Sequence, residues 1–364
     1  MDSPRRVLVT GGSGFLGGHI VRQLLDHAAT TVAIVSRHPK IPAGISDDSR
    51  ISLHAADVTV PSQIEAVFRD FEPHAVIHAV SPDFRDTTAN LIKTNIEGTA
   101  ALLAAATAYP DTRVFIYTSS NSAVVSTQKP ITEADAVLHD ETTAPNAYSM
   151  TKAQAERLVA AADSPQLRTS IIRIPGLYGE HDNNFVPQLV TSMRRREHKM
   201  QVGNDPKLHE FIYVDKAAEA HILALQILLN PDTADQAGGE AFFISDGRPQ
   251  PFFEFCRRFY AAAGHPVPEN EITRVPMPVM KAMASTTEWV YWIFTLGYIK
   301  PNLRRIGINH LDSGWCWSLE KRAGYWDMSL SRIRMMLLRK QWSGQWRRCN
   351  WRLVLGSWQF VEFE

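Results

Sequence analysis

The chain has 364 residues, 45% of them hydrophobic and 21% charged, and its 38 Lys and Arg are balanced by 38 Asp and Glu. At roughly 150 residues per domain this length allows about two domains, and the composition excludes disorder, collagen and coiled coil. A formal net charge of zero gives no overall field to draw the protein onto a polyanion, so nucleic-acid binding is not expected.

The N-terminus, M-D-S-P-R-R-V-L-V-T, runs straight into a strand pattern without the apolar stretch and cleavage site of a secretory signal. Cys256, Cys316 and Cys349 lie far apart with no C-x-x-C pair, which speaks against a zinc ribbon or a disulfide framework. A reduced cytoplasmic location and no metal site are therefore expected.

From Arg6 to about Ile174, short β-branched runs alternate with helical patterns, as in an α/β fold with a parallel sheet covered on both faces. Predicted strands are Val7 to Thr10, Thr31 to Ser36, Ser52 to Ala55, Ala75 to His78, Arg113 to Thr118 and Ser170 to Ile174. Beyond Ile174 the regularity weakens and a second, smaller lobe begins. Asp215 to Leu229 reads as a helix and Ala241 to Ile244 as one more strand. These patterns divide the chain into a dinucleotide-binding domain over residues 1–180, with returns near 207–229 and 240–246, and a discontinuous C-terminal substrate lobe over 181–330. A tail over 331–364 follows.

Pro276 to Leu296 is an apolar helix with one Lys, one Glu and an aromatic end. Two readings stand: a core helix of the small lobe, or a surface for membrane or ligand contact, where Trp and Tyr favour the headgroup level. The longest apolar stretch, Trp289 to Ile299, has about half of the ~20 residues needed to cross a bilayer. The last 65 residues hold seven of the nine tryptophans and a local charge of +7, twelve Lys and Arg against five Asp and Glu. Basic residues among tryptophans fit nucleic acid or a membrane surface, and a packed helix with an irregular tail is the plainer alternative.

R-R-V-L-V-T-G-G-S-G-F-L-G-G-H-I-V places a buried strand, a glycine turn and a helix in succession, the arrangement of a Rossmann doubly wound sheet. Gly11 allows the tight turn, Gly14 lets backbone amides approach a pyrophosphate, and Gly17 lets the helix pack on the strand. The phosphates then face a helix N-terminus. The acid that usually follows about 20 residues later to hold a ribose hydroxyl is missing. Ser36 and Arg37, with Lys40 nearby, stand there instead and favour a 2′-phosphate, hence NADP over NAD. Asp57 is placed to reach the adenine amine, with Val58 against the ring.

Tyr148 and Lys152, four apart in Y-S-M-T-K, share one helix face. The neighbouring ammonium is expected to lower the phenol pKa, with help from a cationic nicotinamide, and so make a usable base. Upstream, V-F-I-Y-T-S-S ends a strand in hydroxyls where such a sheet places its ligand crevice. Ser120 is the expected partner of the reacting oxygen, with Ser119 the alternative.

T-G-G-S-G-F-L-G, which includes Phe15 and Leu16, together with A-D-V, V-I-H-A, Y-T-S-S and Y-S-M-T-K, resembles the extended short-chain dehydrogenase/reductase family. T-N-I-E-G-T, R-I-P-G-L-Y-G, E-F-I-Y-V-D-K-A-A-E-A-H and A-F-F-I-S-D-G are similar to its 3β-hydroxysteroid dehydrogenase branch, especially the decarboxylating sterol-4α-carboxylate 3-dehydrogenases. The resemblance implies that Asn95 lies on a helix near the site and supports a proton relay, that Pro175, Gly176 and Tyr178 border the nicotinamide, and that Asp215 is structural. It also implies a homodimer and a peripheral contact with the endoplasmic reticulum membrane. Two positions depart from the branch: it usually has an acid at Ser36 and Asn at Lys216. Ser343 to Glu364 show no likeness.

The expected activity is an NAD(P)-dependent oxidation of the 3β-hydroxyl of a sterol or triterpenoid, with loss of a C4 carboxylate as CO2 where the substrate carries one. In it Tyr148 removes the proton, Lys152 holds the ribose and tunes Tyr148, and Ser120 positions the oxygen. The alternatives are an NADPH-dependent carbonyl reductase of the dihydroflavonol type, a nucleotide-sugar epimerase or dehydratase, and a dinucleotide-sensing protein without chemistry. The presence of both Tyr148 and Lys152 argues against the last.

Overall fold

The computed structural model describes residues 5–317, apart from Gln128, Gly297, Lys300 and Asn302. The tail expected over 331–364 and Cys349 therefore lie outside the described residues. Seven strands form one sheet: β1 (Arg5–Thr10), β2 (Thr30–Ser36), β3 (Ile51–Ala55), β4 (Ala75–His78), β5 (Val114–Ser120), β6 (Arg168–Ile174) and β7 (Glu240–Phe243). Their spatial order is β7-β6-β5-β4-β1-β2-β3, and every pairing is parallel.

Strand alternation sends successive side chains to opposite faces, and here both faces are covered. Val7, Val9, Ile77 and Ile116 point to one side, where they meet the helices α1 (Phe15–Leu25) and α6 (Val214–Leu229). Leu8, Val76, Phe115 and Tyr117 point to the other. There they meet α2 (Pro61–Phe71), α3 (Gly98–Ala108) and α4 (Ala147–Ala161). Each large apolar side chain so buried contributes about 1.5–3 kcal/mol. Asp215 fastens the two helices of the first face, accepting hydrogen bonds from His19 and Arg22 of α1, which agrees with its expected structural role.

The order turns around between β1 and β4, and in such sheets the crevice beyond the strand ends at that point takes the ligand. The glycine turn follows β1, the loop 79–86 follows β4, Ser119 and Ser120 end β5, and Pro175 follows β6. All of the expected site thus leaves the sheet at one edge.

The remaining described elements form a smaller region. The helices α5 (Phe185–Arg194) and α7 (Phe252–Ala262) enclose an aromatic cluster in which Phe211 stacks on Phe255 with ring centroids 3.7 Å apart. α8 (Met277–Thr295) packs on α9 (Arg305–Ser313) through Met280, Ala284 and Ile308, and Lys281 donates to Asp312 across the pair at 2.6 Å. The core-helix reading of this segment does not hold for its end: Trp289 is 65% exposed, Trp292 56% and Phe294 81%. Nothing among the described residues covers them.

Candidate active site

The glycine turn is shaped as a cradle. Gly11 has φ +70°, and a Cβ there would meet the Val80 backbone at 3.0 Å. At Gly17 a Cβ would lie 2.1 Å from the Gly11 carbonyl oxygen, so only glycine lets α1 pack this close. Gly14 caps α1 with extended backbone and no side-chain bond, leaving first-turn amides for an anion. Leu16 is buried behind the turn with Phe15 beside it. Across from this turn, the Ser36 hydroxyl at the end of β2 is buried without a partner among the described residues. A glycine cradle at a helix N-terminus fits a dinucleotide pyrophosphate, so these residues suit the expected NAD or NADP.

Arg37 is exposed at the rim. Asp57 accepts the Thr59 amide at 2.9 Å. Burial pushes its pKa up, but the Thr59 hydrogen bonds and the charges of Arg37 and Lys93 outweigh this and hold the carboxyl below its ordinary value. Val58 is buried against Gly98, and Pro175 is buried at the end of β6.

Asn146 caps α4 by accepting the Ser149 amide at 2.9 Å, which sets Tyr148 in the first turn and Lys152 one turn on. Ser120 and Ser81 lie beside the Tyr148 hydroxyl and favour its ionised form. Lys152 is buried, donates to the Thr118 carbonyl at 2.9 Å and sits 4.8 Å over the Tyr117 ring. Its Nζ is 6.0 Å from the Tyr148 ring centre. Burial lowers its pKa to about 7, and Glu156 acts the other way.

The protein groups by themselves do not lower the Tyr148 pKa. Burial pushes the Tyr148 pKa above the ordinary phenol value and the Asp83 charge adds to the rise, against the effect of Ser120 and Ser81. The ammonium does not offset this, because it is aimed at the strand carbonyl and is itself desolvated.

The strand sends the two serines to different neighbours. Ser119 donates to Glu156 at 2.5 Å, and Glu156 is held by Arg173 of β6 at 2.7 Å, all three buried. Ser120, on the opposite side of the pleat, meets Tyr148. Asn95 lies in a π-helical turn, Lys93–Glu97, a distortion common at functional sites. Its amide donates to the Thr151 hydroxyl at 3.0 Å and accepts from Ser81 at 3.0 Å, which ties the loop 79–86 to the catalytic helix. Behind it His78 bridges Thr10 and Thr99, neutral because burial lowers its pKa to about 3. Sequence reasoning did not single out Ser81, Glu156 or Arg173. Only the Tyr-x-x-x-Lys spacing, continued one more turn, could have pointed to Glu156.

A doubly wound parallel sheet, a glycine cradle at its switch point and a Tyr-Lys pair beside a strand-end serine define the short-chain dehydrogenase/reductase class. Residues 8–276 match the model of the 3-beta hydroxysteroid dehydrogenase/isomerase family, and the chain belongs to that family. It is 59% identical over 262 residues to the decarboxylating sterol-4-alpha-carboxylate 3-dehydrogenase of Gibberella zeae, covering 71% of this chain and 86% of that protein. To the protein so described from Schizosaccharomyces pombe it is 32% identical, over 79% of this chain and 83% of that one. The fold is shared with the Bordetella bronchiseptica enzyme WbmH, solved in complex with NAD+, at a TM-score of 0.61 and 18% identity, over 74% and 86% of the two chains.

Proposed function

We propose that the protein oxidises the 3-hydroxyl of a 4-carboxylated sterol to the ketone with loss of the carboxylate as CO2. The observation that carries this reading is the placement of the Tyr148 hydroxyl against Ser120 and Ser81 with Lys152 one turn on, at the sheet edge above the glycine cradle, in a chain so similar to sterol-4-carboxylate dehydrogenases. A bound nicotinamide coenzyme would accept the hydride and add positive charge beside the phenol.

Tyr148 takes the hydroxyl proton and Ser120 holds the oxygen from which it leaves. Ser81, which donates to the buried Asn95, lies on the same side of the phenol. Lys152 would hold the coenzyme ribose. Once the ketone forms, the carboxylate is β to a carbonyl; the C4–carboxyl bond breaks, its electron pair enters the C3 carbonyl as an enolate, and a proton returned to C4 completes the ketone. Tyr148 and Ser120 already face that oxygen.

Ser36 and Arg37 support NADP as the coenzyme, to be tested by comparing rates with the two dinucleotides. The exposed end of α8 supports a peripheral membrane contact; among the described residues no helix is long and apolar enough to cross a bilayer. The deciding experiment incubates the protein with a 3β-hydroxy-4α-carboxysterol and oxidised coenzyme and weighs the product. Loss of two hydrogens and of CO2 is expected. No oxidation with either coenzyme refutes the reading.

A further inference from the structure

Ser119 of β5 and Arg173 of β6 are partners in the parallel register, so their side chains leave the sheet on the same face. Both end on one carboxylate of the helix that covers this face. Glu156 accepts the Ser119 hydroxyl on Oε1 at 2.5 Å, and on Oε2 it accepts Arg173 Nε at 3.0 Å and Nη2 at 2.7 Å. All three residues are buried.

Glu156 stands one turn past Lys152 on the same face of α4, and the two side chains bind consecutive residues of β5. The Lys152 amine donates to the Thr118 carbonyl at 2.9 Å, and the Glu156 carboxylate takes the Ser119 hydroxyl. That carbonyl belongs to the planar peptide group that joins Thr118 to Ser119, so fixing Ser119 fixes the direction in which the carbonyl points. From the other face of the sheet, His221 of α6 holds the Thr118 hydroxyl at 2.8 Å, while its Nδ1 donates to the Ala217 carbonyl at 2.7 Å. The strand end is thus gripped on both sides, and the amine hangs from the gripped peptide. The Glu156 charge also favours the ammonium form of Lys152 against burial.

Stability alone is a weak reason for the Glu156–Arg173 pair, because a buried ion pair is often no more stabilising than apolar residues of similar volume. Given the proposed hold of Lys152 on the coenzyme ribose, on which this rests, we infer that Glu156 is a positioning residue for that amine. It acts through Ser119 and the Thr118 carbonyl, and Arg173 keeps the carboxylate in place.

The test is a double-mutant cycle on dinucleotide affinity, followed by fluorescence with whichever of NAD and NADP the full-length wild type binds more tightly. S119A removes one arm and leaves both Arg173 bonds. K152M should weaken binding about tenfold or more, as for loss of a charge-assisted hydrogen bond, and S119A about fivefold. In the K152M background S119A should change affinity by less than about twofold, because the group through which it acts is gone. Should S119A fail to fold, S119C, with its weak donor, takes its place in the cycle. No effect of S119A, or the same loss in both backgrounds, makes the network a structural tie only and overturns the inference, with the role of Lys152 intact. Wild-type affinity in K152M removes that role and the inference with it.

Discussion

Phe115, in the middle of β5, is fully buried, whereas Phe294, near the end of α8, keeps 81% of its surface exposed. Around Phe115 the strands present alternate faces to helices that cover both, and the aromatic ring has a place in each layer. The exposed residues near Phe294 run around the helix: Trp289, Val290, Tyr291, Trp292 and Ile293 are all exposed as well. A helix apolar all round is normally buried, and an uncovered patch of this kind marks a contact surface. The sheet region is therefore explained by folding, whereas the described residues leave the α8 end uncovered. The buried side also holds the chemistry, where polar groups such as Lys152 and His78 are tolerated because each has a hydrogen-bond partner.

The largest effect belongs to Tyr148. Replacing it with Phe removes the proton acceptor but leaves the ring, and turnover should fall by about 10²–10⁴ while dinucleotide binding, followed by fluorescence, persists. Unchanged turnover would place the chemistry elsewhere. Next is the fold itself: Phe115→Ala empties a sealed position and should cost about 3–5 kcal/mol in urea unfolding. A cost below 1 kcal/mol would mean that the sheet is far less tightly filled than its burial states.

A smaller effect sharpens the polar side of the comparison. The Lys152 pKa is lowered by burial from its ordinary value near 10.5 to about 7. Between these values the unfolded chain binds more protons than the folded one, so the contribution of this residue makes stability rise with pH from about 7 towards 10.5. Below pH 7 the cost of the buried charge is present in full. Lys152→Met should flatten that rise, seen as a shrinking difference in unfolding midpoint between the two proteins as pH increases. A difference constant over pH 7–10 would show that the amine carries no burial cost.

The contrast between regions also explains what the sequence made legible. The β-branched runs, the glycine turn and the Tyr-x-x-x-Lys spacing are local patterns, and the sheet and the cradle follow from them. Ser119 and Ser120 end the same strand and look alike until Glu156, 37 residues on, claims one of them. Ser81 lies in a stretch without periodicity. The direction of the Tyr148 pKa is hidden for a related reason. Spacing places the ammonium on the same helix face, but burial and a strand carbonyl, both set by tertiary packing, decide what each group does.

The mildest effect on stability is expected at the α8 end, where the comparison can be broken outright. Replacing Trp289, Trp292 and Phe294 together by Ser removes three large exposed side chains. If the ridge is a contact surface, unfolding free energy should change by less than about 1 kcal/mol, as for surface substitutions remote from packing. Binding to phospholipid vesicles should meanwhile fall at least tenfold in co-sedimentation, because interfacial affinity scales with the apolar area inserted. If the ridge instead belongs to the protein's own interior, the same variant should lose several kcal/mol, as core truncations do, with vesicle binding absent from the wild type. The two measurements move in opposite senses under the two accounts, so one variant separates them.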